Sequence, residues 1–331
     1  MNADAPPWPT GIVTGMLGSG KTTLLRQLLR HREMAATLVL VNEFGEVGLD
    51  HHLMTSVTDA VVLLPNGCLC CTVRHDIVRT LRDIHRSWLA GTMPDFGRIL
   101  IETSGLAEPA PLVASLRGHP VLAEFVDLRA ITTLVDAQYG PAQLSGNVTC
   151  RNQIRLADHL VISKGDLVPP AAILAIGERL AGLNPLASVR LTAPLPRPDL
   201  LFAAGIGEPP RSSVTCDEAS AHLDRISTLV LRAARPLSWT RFRIWVGRAL
   251  DDAGDRILRV KGCVAFADQS APVVIQAVHH SFYPVVAAPP TMSHDGDSFL
   301  VLIFDGPVPP GLEQGFARCV GDRSENDAAA P

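Results

Sequence analysis

The sequence predicts an α/β protein with a doubly wound, mostly parallel sheet, followed by a smaller α+β C-terminal domain. Three observations support this prediction. From 11 to about 203, short β-branched runs alternate with helical patterns, as in a parallel sheet covered by helices on both faces. A glycine-rich stretch at 15–22 lies between the first predicted strand and the first predicted helix. Beyond about 220 the regular alternation stops.

Each element follows from its local pattern. Runs of β-branched and aliphatic residues predict the first domain's strands at 11–14, 37–41, 60–64, 98–101, 130–135, 159–163 and 188–191. Apolar residues at helical spacing predict its helices near 20–31, 73–89, 109–117, 149–157 and 170–182. In the second domain we expect strands near 225–232, 256–266, 272–280 and 298–305, and helices near 239–252 and 310–319.

The domain organisation follows from these elements and from a stretch rich in Gly, Pro and Ser between them. We expect a disordered N-terminus at 1–8, a first domain at 9–204, a linker at 205–222, a second domain at 223–320 and a disordered tail at 321–331. The chain of 331 residues is long enough for two domains with sizeable cores.

Composition argues against several functional classes. A net charge of −4, with no basic stripe carrying interleaved aromatics, makes nucleic acid an unexpected partner. No apolar run reaches the roughly 18 residues of a membrane span, and the first ten residues lack a secretory signal. The seven cysteines include three within 68–71, which is not the spacing of a disulfide framework. We therefore expect a cytoplasmic protein without a membrane partner, in which Cys150, Cys216, Cys263 and Cys319 act as small hydrophobes.

Residues 15–22, GMLGSGKT, fit the pattern GxxxxGK[ST] of a phosphate-binding loop, which makes the predicted sheet that of a P-loop NTPase. Glycines allow the tight turn that points backbone N–H groups at phosphate oxygens. Lys21 is expected to reach the β- and γ-phosphates, and the Thr22 hydroxyl to ligate Mg²⁺. The predicted nucleotide-binding residues of this loop are Gly15, Gly18, Ser19, Gly20, Lys21, Thr22 and Thr23.

Lysine occurs only at 21, 164 and 261, and all other residues with a permanently cationic side chain are arginine. Arginine's planar group does not replace a compact ammonium on a flexible stem in a phosphate site. Lys164 and Lys261 are therefore candidate functional residues, as Lys21 is.

Acidic residues follow two of the predicted strands. Glu102 ends one strand and is expected to hold Mg²⁺, while the N–H of Gly105, three residues later, is expected to sense the γ-phosphate. Glu43 and Glu46 lie in a loop after the strand at 37–41. Three roles remain open for this second pair: orienting water, binding Mg²⁺ or ligating a second metal.

The sequence Ser163-Lys164-Gly165-Asp166 follows the strand at 159–163. A carboxylate at Asp166 can accept hydrogen bonds from guanine N1–H and the 2-amino group, whereas adenine N1 is itself an acceptor. This favours GTP over ATP, with the stem of Lys164 packed on the base. Ser163 occupies the position of the usual asparagine, and its shorter side chain is expected to lose some bracing of the site.

Cys68, Cys70 and Cys71 follow the strand at 60–64 and precede a helix. Thiolates near a helix N-terminus have lowered pKa values and bind soft ions such as Zn²⁺ or Cu(I). Three cysteines are too few for a closed structural zinc site, so an open site follows. We expect the fourth ligand to come from Glu43, Glu46, His119 or a substrate protein.

The motifs GMLGSGKTTLL, NEFGEVGLD, NGCLCCTVR, ETSGLAEP, TLVDA, SKGDL, LRVKG and VHHSFYP occur in this order. From about 8 to 319 the chain closely resembles the CobW-like family of metal-handling P-loop GTPases. The resemblance implies a GTPase domain joined to a CobW C-terminal domain, GTP and Mg²⁺ in the nucleotide site, and Zn²⁺ or Co²⁺ at the cysteines. It also implies a metallochaperone or metalloenzyme activator that inserts metal into a client protein.

Our hypothesis from the sequence is a slow GTPase that loads one metal at the cysteines. It releases the metal to a client metalloenzyme when hydrolysis resets the loops at 42–46 and 102–105. Two alternatives stay open: a P-loop ATPase or kinase with a redox-sensing cysteine cluster, and a non-catalytic scaffold stabilised by nucleotide. The sequence also leaves open the client, the native metal and the oligomeric state, a homodimer included.

Overall fold

The structure, a computed structural model, describes residues 6–42, 61–63, 73–193, 197–203, 213, 226–279, 281–283, 285–288 and 298–320. The chain divides into two compact units, Met1–Gly207 and Glu208–Pro331. Within the described residues, each unit contains one sheet with helices packed on it. No helix of this described part is long and apolar enough to cross a bilayer.

The first unit has a parallel sheet of seven described strands. They are β1 (Trp8–Gly15), β2 (Thr37–Asn42), β3 (Val61–Leu63), β4 (Arg98–Thr103), β5 (Val126–Asp136), β6 (His159–Ser163) and β7 (Ser188–Leu191). Their order is β3-β2-β4-β1-β5-β6-β7, with every neighbouring pair parallel. Because the strands are parallel, the loops after β1, β4, β5 and β6 all lie at the carboxyl edge of the sheet. The chain winds first to one side of β1 and then to the other.

Helices connect the strands of this sheet. They are α1 (Lys21–Leu28), α2 (Val73–Leu89), α3 (Pro109–Gly118), α4 (Pro120–Ala123), α5 (Gly140–Gly146), α6 (Val148–Leu156) and α7 (Pro170–Leu183). Proline occupies the first or second position of α3, α4, α5 and α7, where its fixed φ suits the start of a helix. Asn147 caps α6 by accepting a hydrogen bond from the backbone N–H of Cys150 at 3.1 Å.

Trp8 corrects the predicted bound of the disordered N-terminus. It is the first residue of β1 and is 7% exposed. Its ring packs against those of Trp88, Phe96 and Phe125, with centroids 5.2, 4.5 and 5.9 Å away. Burial of a large aromatic ring among other rings stabilises the start of the strand, which pattern alone placed at residue 11.

The second unit is the predicted smaller α+β domain. It contains β8 (Ile226–Ala233), α8 (Trp239–Ala253), β9 (Ile257–Val264), β10 (Val273–Val278), β11 (Ser281–Phe282), β12 (Val286–Ala287), β13 (Ser298–Asp305) and α9 (Leu312–Ala317). The antiparallel order is β11-β10-β9-β13-β8, with β12 paired to β10. One face of this sheet packs on α8, where Phe242 and Val246 share a core with Leu300 and Leu302.

The structure confirms the predicted fold class, and each predicted strand and helix overlaps an observed one. It adds the short elements α4, α5, β11 and β12. The tail at 321–331 and most of the linker at 205–222 lie outside the described residues. Within the linker, Ser213 Oγ accepts a hydrogen bond from the backbone N–H of Val230 at 3.0 Å.

Candidate functional site

The segment 15–22 joins β1 to α1 at the centre of the parallel sheet. Its glycines have positive φ angles, 137° at Gly15, 74° at Gly18 and 91° at Gly20. A Cβ on Gly15 would also lie 2.4 Å from the carbonyl oxygen of Leu134. Residues with side chains rarely adopt such angles, so glycine is required for this turn. The result is a loop followed directly by a helix N-terminus, which is the arrangement that binds phosphate.

Lys21 is the first residue of α1 and is 8% exposed. Its Nζ donates hydrogen bonds to the carbonyl oxygens of Gly15 at 2.8 Å and Met16 at 3.2 Å. The ammonium is therefore held across the curve of the phosphate-binding loop. Ser19 Oγ is buried and has no hydrogen-bond partner among the described residues, while Thr23 is exposed in the first turn of α1.

A second pair of side chains joins this loop to β4. β1 and β4 pair in parallel, with Val13 beside Glu102. The Thr22 hydroxyl donates to Oε1 of Glu102 at 2.9 Å, and Glu102 is 5% exposed. A hydroxyl and a carboxylate are oxygen ligands of the kind that Mg²⁺ prefers. The structure thus brings together the two residues that the sequence assigned to Mg²⁺.

The β4–α3 loop, residues 104–108, packs directly on the phosphate-binding loop. A Cβ on Gly105 would lie 2.3 Å from the backbone nitrogen of Leu17 and 2.7 Å from its Cα. Just before the loop, Thr103 Oγ1 donates to Thr14 Oγ1 at 2.8 Å and ties β4 to β1. Glycine is therefore the residue that fits between the two loops, and a change in either one is felt by the other.

Ser163, at the end of β6, braces the phosphate-binding loop. Its Oγ donates to the carbonyl oxygen of Ser19 at 2.6 Å, and Ser163 is 4% exposed. Serine at this position thus still braces the loop, because β6 approaches the loop closely enough for the shorter side chain to reach it. A Cβ on Gly20 would lie 3.9 Å from the Cβ of Ser163, which shows the same close approach.

Lys164 follows with a left-handed φ of 56° and pairs with Asp136. Its Nζ lies 2.6 Å from Oδ2 of Asp136, whose side chain is 3% exposed against 35% for Lys164. Oδ1 of Asp136 accepts hydrogen bonds from the backbone N–H groups of Gln138 at 2.7 Å and Tyr139 at 3.1 Å. The next acidic residue, Asp166, is exposed in the 3₁₀ turn Gly165–Leu167.

Asp136 is a site residue that the sequence reasoning missed. Burial acts to raise its pKa, but the hydrogen bond from Lys164 and those from two backbone N–H groups outweigh burial, so the pKa is lowered. The carboxylate is therefore ionised at neutral pH and fixes both Lys164 and the start of the β5–α5 turn. The available signal was the motif TLVDA, since Asp136 ends β5 and pairs in register with Ser163.

The predicted metal-binding residues are only partly described. Glu43, Glu46, Cys68, Cys70 and Cys71 lie outside the described residues. β3, which precedes the cysteines, ends at Leu63 beside Val41 at the carboxyl edge of the sheet. In the described part of the chain, no three His, Cys, Asp or Glu side chains form a group that could hold a metal ion.

His119, predicted as a possible ligand beside the cysteines, follows helix α3, and its role stays a prediction because the cysteines lie outside the described residues. Helix α3 starts after the carboxyl end of β4 and runs for 10 residues, about 15 Å, before His119. His119 then precedes β5, which begins beside Trp8 at the amino edge of the sheet. β3 ends at the opposite, carboxyl edge, with Leu63 beside Val41. A sequence pattern shows that a histidine follows a helix, but not the edge at which that helix ends.

The described cysteines outside the cluster are buried, as predicted. Cys150, Cys263 and Cys319 carry free thiols and are 3%, 6% and 2% exposed. Burial raises the pKa of Cys150 and of Cys319 to about 11. These thiols stay protonated at neutral pH and are poor metal ligands or nucleophiles.

A central glycine loop with its lysine, a hydroxyl and carboxylate pair beside it, and a doubly wound parallel sheet define a P-loop NTPase. A family model described as CobW/HypB/UreG, nucleotide-binding domain, matches residues 9–190. A second, described as cobalamin synthesis protein cobW C-terminal domain, matches residues 226–320. The chain belongs to the CobW/HypB/UreG family.

Three relatives illustrate the match. The zinc chaperone YjiA of Escherichia coli K12 is 28% identical over 285 residues, covering 83% of this chain and 87% of YjiA. The zinc chaperone CobW of Pseudomonas aeruginosa is 33% identical over 213 residues, covering 54% of each chain. The zinc-regulated GTPase metalloprotein activator 1 of Schizosaccharomyces pombe is 35% identical over 190 residues, covering 55% of this chain and 45% of the relative. The chain thus spans about half the length of the last two.

A solved structure shows the same fold. The crystal structure of Zn(II)-bound YjiA GTPase from Escherichia coli superposes with a TM-score of 0.71 at 22% sequence identity. The superposition covers 96% of this chain and 100% of that structure.

Proposed function

We propose that this chain is a GTP-hydrolysing metallochaperone that holds Zn²⁺ at Cys68, Cys70 and Cys71 and delivers it to a client metalloenzyme. The observation that carries the proposal is the Thr22–Glu102 hydrogen bond, because it joins the phosphate-binding loop to the end of β4. The β4–α3 loop that follows contains Gly105, the proposed γ-phosphate sensor. The name zinc chaperone, given to one relative, supports Zn²⁺ as the cargo. The name metalloprotein activator, given to another, supports a metalloprotein as the client. Co²⁺ is the alternative cargo.

GTP is the proposed nucleotide because Asp166 follows β6 at the carboxyl edge of the sheet. Its exposed carboxylate can accept hydrogen bonds from guanine N1–H and the 2-amino group. The Ser163–Ser19 hydrogen bond supports this reading, because it fixes the start of this turn to the phosphate-binding loop. Lys164, held by Asp136, would present its stem to the face of the base.

The residues of the nucleotide site have the following proposed roles in hydrolysis. Lys21 binds phosphate oxygens, exchanging its bonds to loop carbonyls for bonds to the β- and γ-phosphates. Thr22 and Glu102 would hold Mg²⁺, which when bound neutralises charge on the phosphates. The N–H of Gly105 donates to a γ-phosphate oxygen. Glu43 and Glu46 keep their open roles of orienting water or ligating metal.

The cysteines are proposed to hold the cargo in an incomplete shell. Zinc in proteins is usually four-coordinate, and three thiolates leave one position for a client ligand or for Glu43 or Glu46. Closely spaced thiols that bind metal need a reducing compartment, so we place the activity in the cytoplasm. An open position allows a ligand of the client to bind before the chaperone's thiolates leave.

The proposed switch couples this cargo to the nucleotide. The β4–α3 loop contacts the phosphate-binding loop at Gly105, and the chain enters the cysteine segment from the same edge of the sheet. GTP hydrolysis removes the γ-phosphate and thereby resets the loops at 42–46 and 102–105. This change in the loops releases the metal for transfer.

Replacing one cluster cysteine tests the metal site. We expect wild-type protein to bind one Zn²⁺ per chain, and Cys70→Ala to bind it about 100-fold more weakly, since even changes outside the ligand shell cost 10–100-fold. Cys150→Ala is the matched control, because that thiol is buried with a raised pKa, and it should bind zinc as the wild type does. Competition with a zinc-chelating dye measures all three affinities. Equal zinc affinity in Cys70→Ala and Cys150→Ala would contradict the proposed zinc site at the cysteines.

A further inference from the structure

Helix α6 holds the β4–α3 loop through one buried amide. Gln153 is 1% exposed, and its Nε2 donates to the carbonyl oxygens of Ala107 at 3.1 Å and Gly105 at 3.4 Å. Both donors of the side-chain amide are thus used on the loop that packs against the phosphate-binding loop. Its Oε1 is buried and has no hydrogen-bond partner among the described residues.

The neighbouring residue adds a second attachment to the same loop. Nδ2 of Asn152 lies 3.3 Å from both carboxylate oxygens of Glu108, and Oδ1 of Asn152 accepts from Arg155 at 3.2 Å. Two consecutive residues of α6 therefore bind three residues of the loop. The contact spans the loop's central part and its junction with α3.

Helix α6 is itself firmly anchored to the sheet. Thr133 Oγ1 on β5 donates to the backbone carbonyl of Gln153 at 2.8 Å. At the end of the helix, Nδ2 of Asn184 donates to the carbonyl oxygens of Ile154 at 2.7 Å, Arg155 at 3.1 Å and Ala157 at 2.9 Å. The loop is therefore held by a fixed element rather than by another loop.

The chemistry of the contact bears on nucleotide binding. Carbonyl oxygens near the γ-phosphate repel its negative charge, whereas N–H groups attract it. Gln153 binds two carbonyl oxygens of this loop and so keeps them turned toward α6. A buried amide whose own acceptor has no hydrogen-bond partner among the described residues costs free energy. A volume-matched apolar residue would avoid that cost but could not hold the carbonyls.

We infer that Gln153 is a positioning residue of the GTPase, which orients the β4–α3 loop so that Gly105 presents its N–H to the γ-phosphate. The inference rests on the proposed function, because it requires Gly105 to be the γ-phosphate sensor. Gln153 then raises affinity for the triphosphate and the rate of hydrolysis. Within the described residues, the hydrogen bonds of its side chain go to the β4–α3 loop and none goes to the phosphate-binding loop.

Gln153→Met tests this role, since methionine has similar length and no donors. We expect affinity for a non-hydrolysable GTP analogue to fall about tenfold, the cost of one to two hydrogen bonds, with a similar fall in kcat, while GDP affinity changes less than about twofold. Ser115→Ala is the control, because it removes a side-chain hydrogen bond to the carbonyl oxygen of Pro111 within α3 and leaves the contacts of Gln153 with the loop intact. Equal losses for GDP and the analogue would mean a merely structural role and would overturn the inference, as would no change for either.

Two further measurements keep the inference testable and separate it from the proposed function. Gln153→Glu places carboxylate oxygens against the loop carbonyls and should lower the affinity for the GTP analogue at least as much as Gln153→Met does. Wild-type affinity for the analogue in Gln153→Glu contradicts the inference. In the wild-type chain, the GTP analogue should slow amide hydrogen exchange at 104–108 more than GDP does. Equal exchange rates at 104–108 with the analogue and with GDP contradict the inference. If Gly105→Ala and Gln153→Met both bind the analogue with wild-type affinity, Gly105 is not the γ-phosphate sensor and the proposed function fails at that point. If Gly105→Ala binds the analogue more weakly but Gln153→Met binds it with wild-type affinity, Gly105 remains the sensor and Gln153 has no part in positioning it.

Discussion

Lysine marks three positions in a chain that otherwise uses arginine, and the structure gives two of them defined partners at the nucleotide site. Lys21 bonds to carbonyl oxygens of the phosphate-binding loop, and Lys164 pairs with Asp136. Lys261 is 1% exposed in β9 of the second unit, beside Gln276 and Val301 in register. Compact ammonium groups fit these confined positions better than guanidinium groups do.

Asp136→Asn should lower the free energy of unfolding at neutral pH and have little effect in acid. The folded pKa of Asp136 lies below its unfolded value of about 4, so its carboxylate stabilises the fold above that value. This contribution is lost as pH falls through the folded pKa. Urea unfolding of wild type and variant at neutral pH and below about pH 4 should show the difference shrinking.

Asp83→Asn is the control for this titration. Asp83 forms an exposed pair with Arg86 at 3.0 Å, with the side chains 67% exposed for Arg86 and 58% for Asp83. Exposed pairs contribute little to stability, so this variant should unfold like the wild type at both pH values. A deficit in Asp136→Asn that persists undiminished in acid contradicts the stabilising role of the ionised carboxylate.

At the scale of elements, the long segments followed from the sequence, whereas the short elements α4, α5, β11 and β12 did not. Seventeen residues of α2 carry several turns of apolar periodicity, so its predicted bounds, 73–89, match the structure. The helix α4 has 4 residues, about one turn, and gives no period to detect. The neighbours of a strand in the sheet do not follow from the sequence: the register of β5 and β6 places Asp136 beside Ser163 at the nucleotide site.

Gly105→Ala should weaken both the fold and the response to GTP. Its Cβ would lie 2.3 Å from the backbone nitrogen of Leu17, so one of the two loops must move. We expect a loss of about 1–3 kcal/mol of stability and of affinity for a GTP analogue, measured by urea unfolding and by nucleotide titration. Gly118→Ala, at the end of α3, is the control, because nothing lies within 4 Å of the added Cβ. Stability and analogue affinity at wild-type levels in Gly105→Ala would show that the loops do not pack as described.

At the scale of the whole molecule, the parallel sheet collects the site from separate strands. β1 contributes the phosphate-binding loop, β4 contributes Glu102 and Gly105, and β5 and β6 contribute Asp136 and Ser163 at the same carboxyl edge. β3 ends at this edge immediately before the cysteine segment. One rigid sheet therefore carries the nucleotide loops and the entry to the proposed metal site, which is the physical basis for coupling them.

Zinc affinity in the two nucleotide states tests the proposed coupling most directly. The wild-type chain would be titrated with zinc against a chelating dye, once with GDP bound and once with a non-hydrolysable GTP analogue. We expect the affinities to differ by at least about fivefold, the lower end of typical coupling between sites, with tighter binding in the analogue state. Gln153→Met should reduce that difference, and Cys150→Ala should preserve it. Identical zinc affinity with GDP and with the analogue in the wild-type chain would contradict the nucleotide switch.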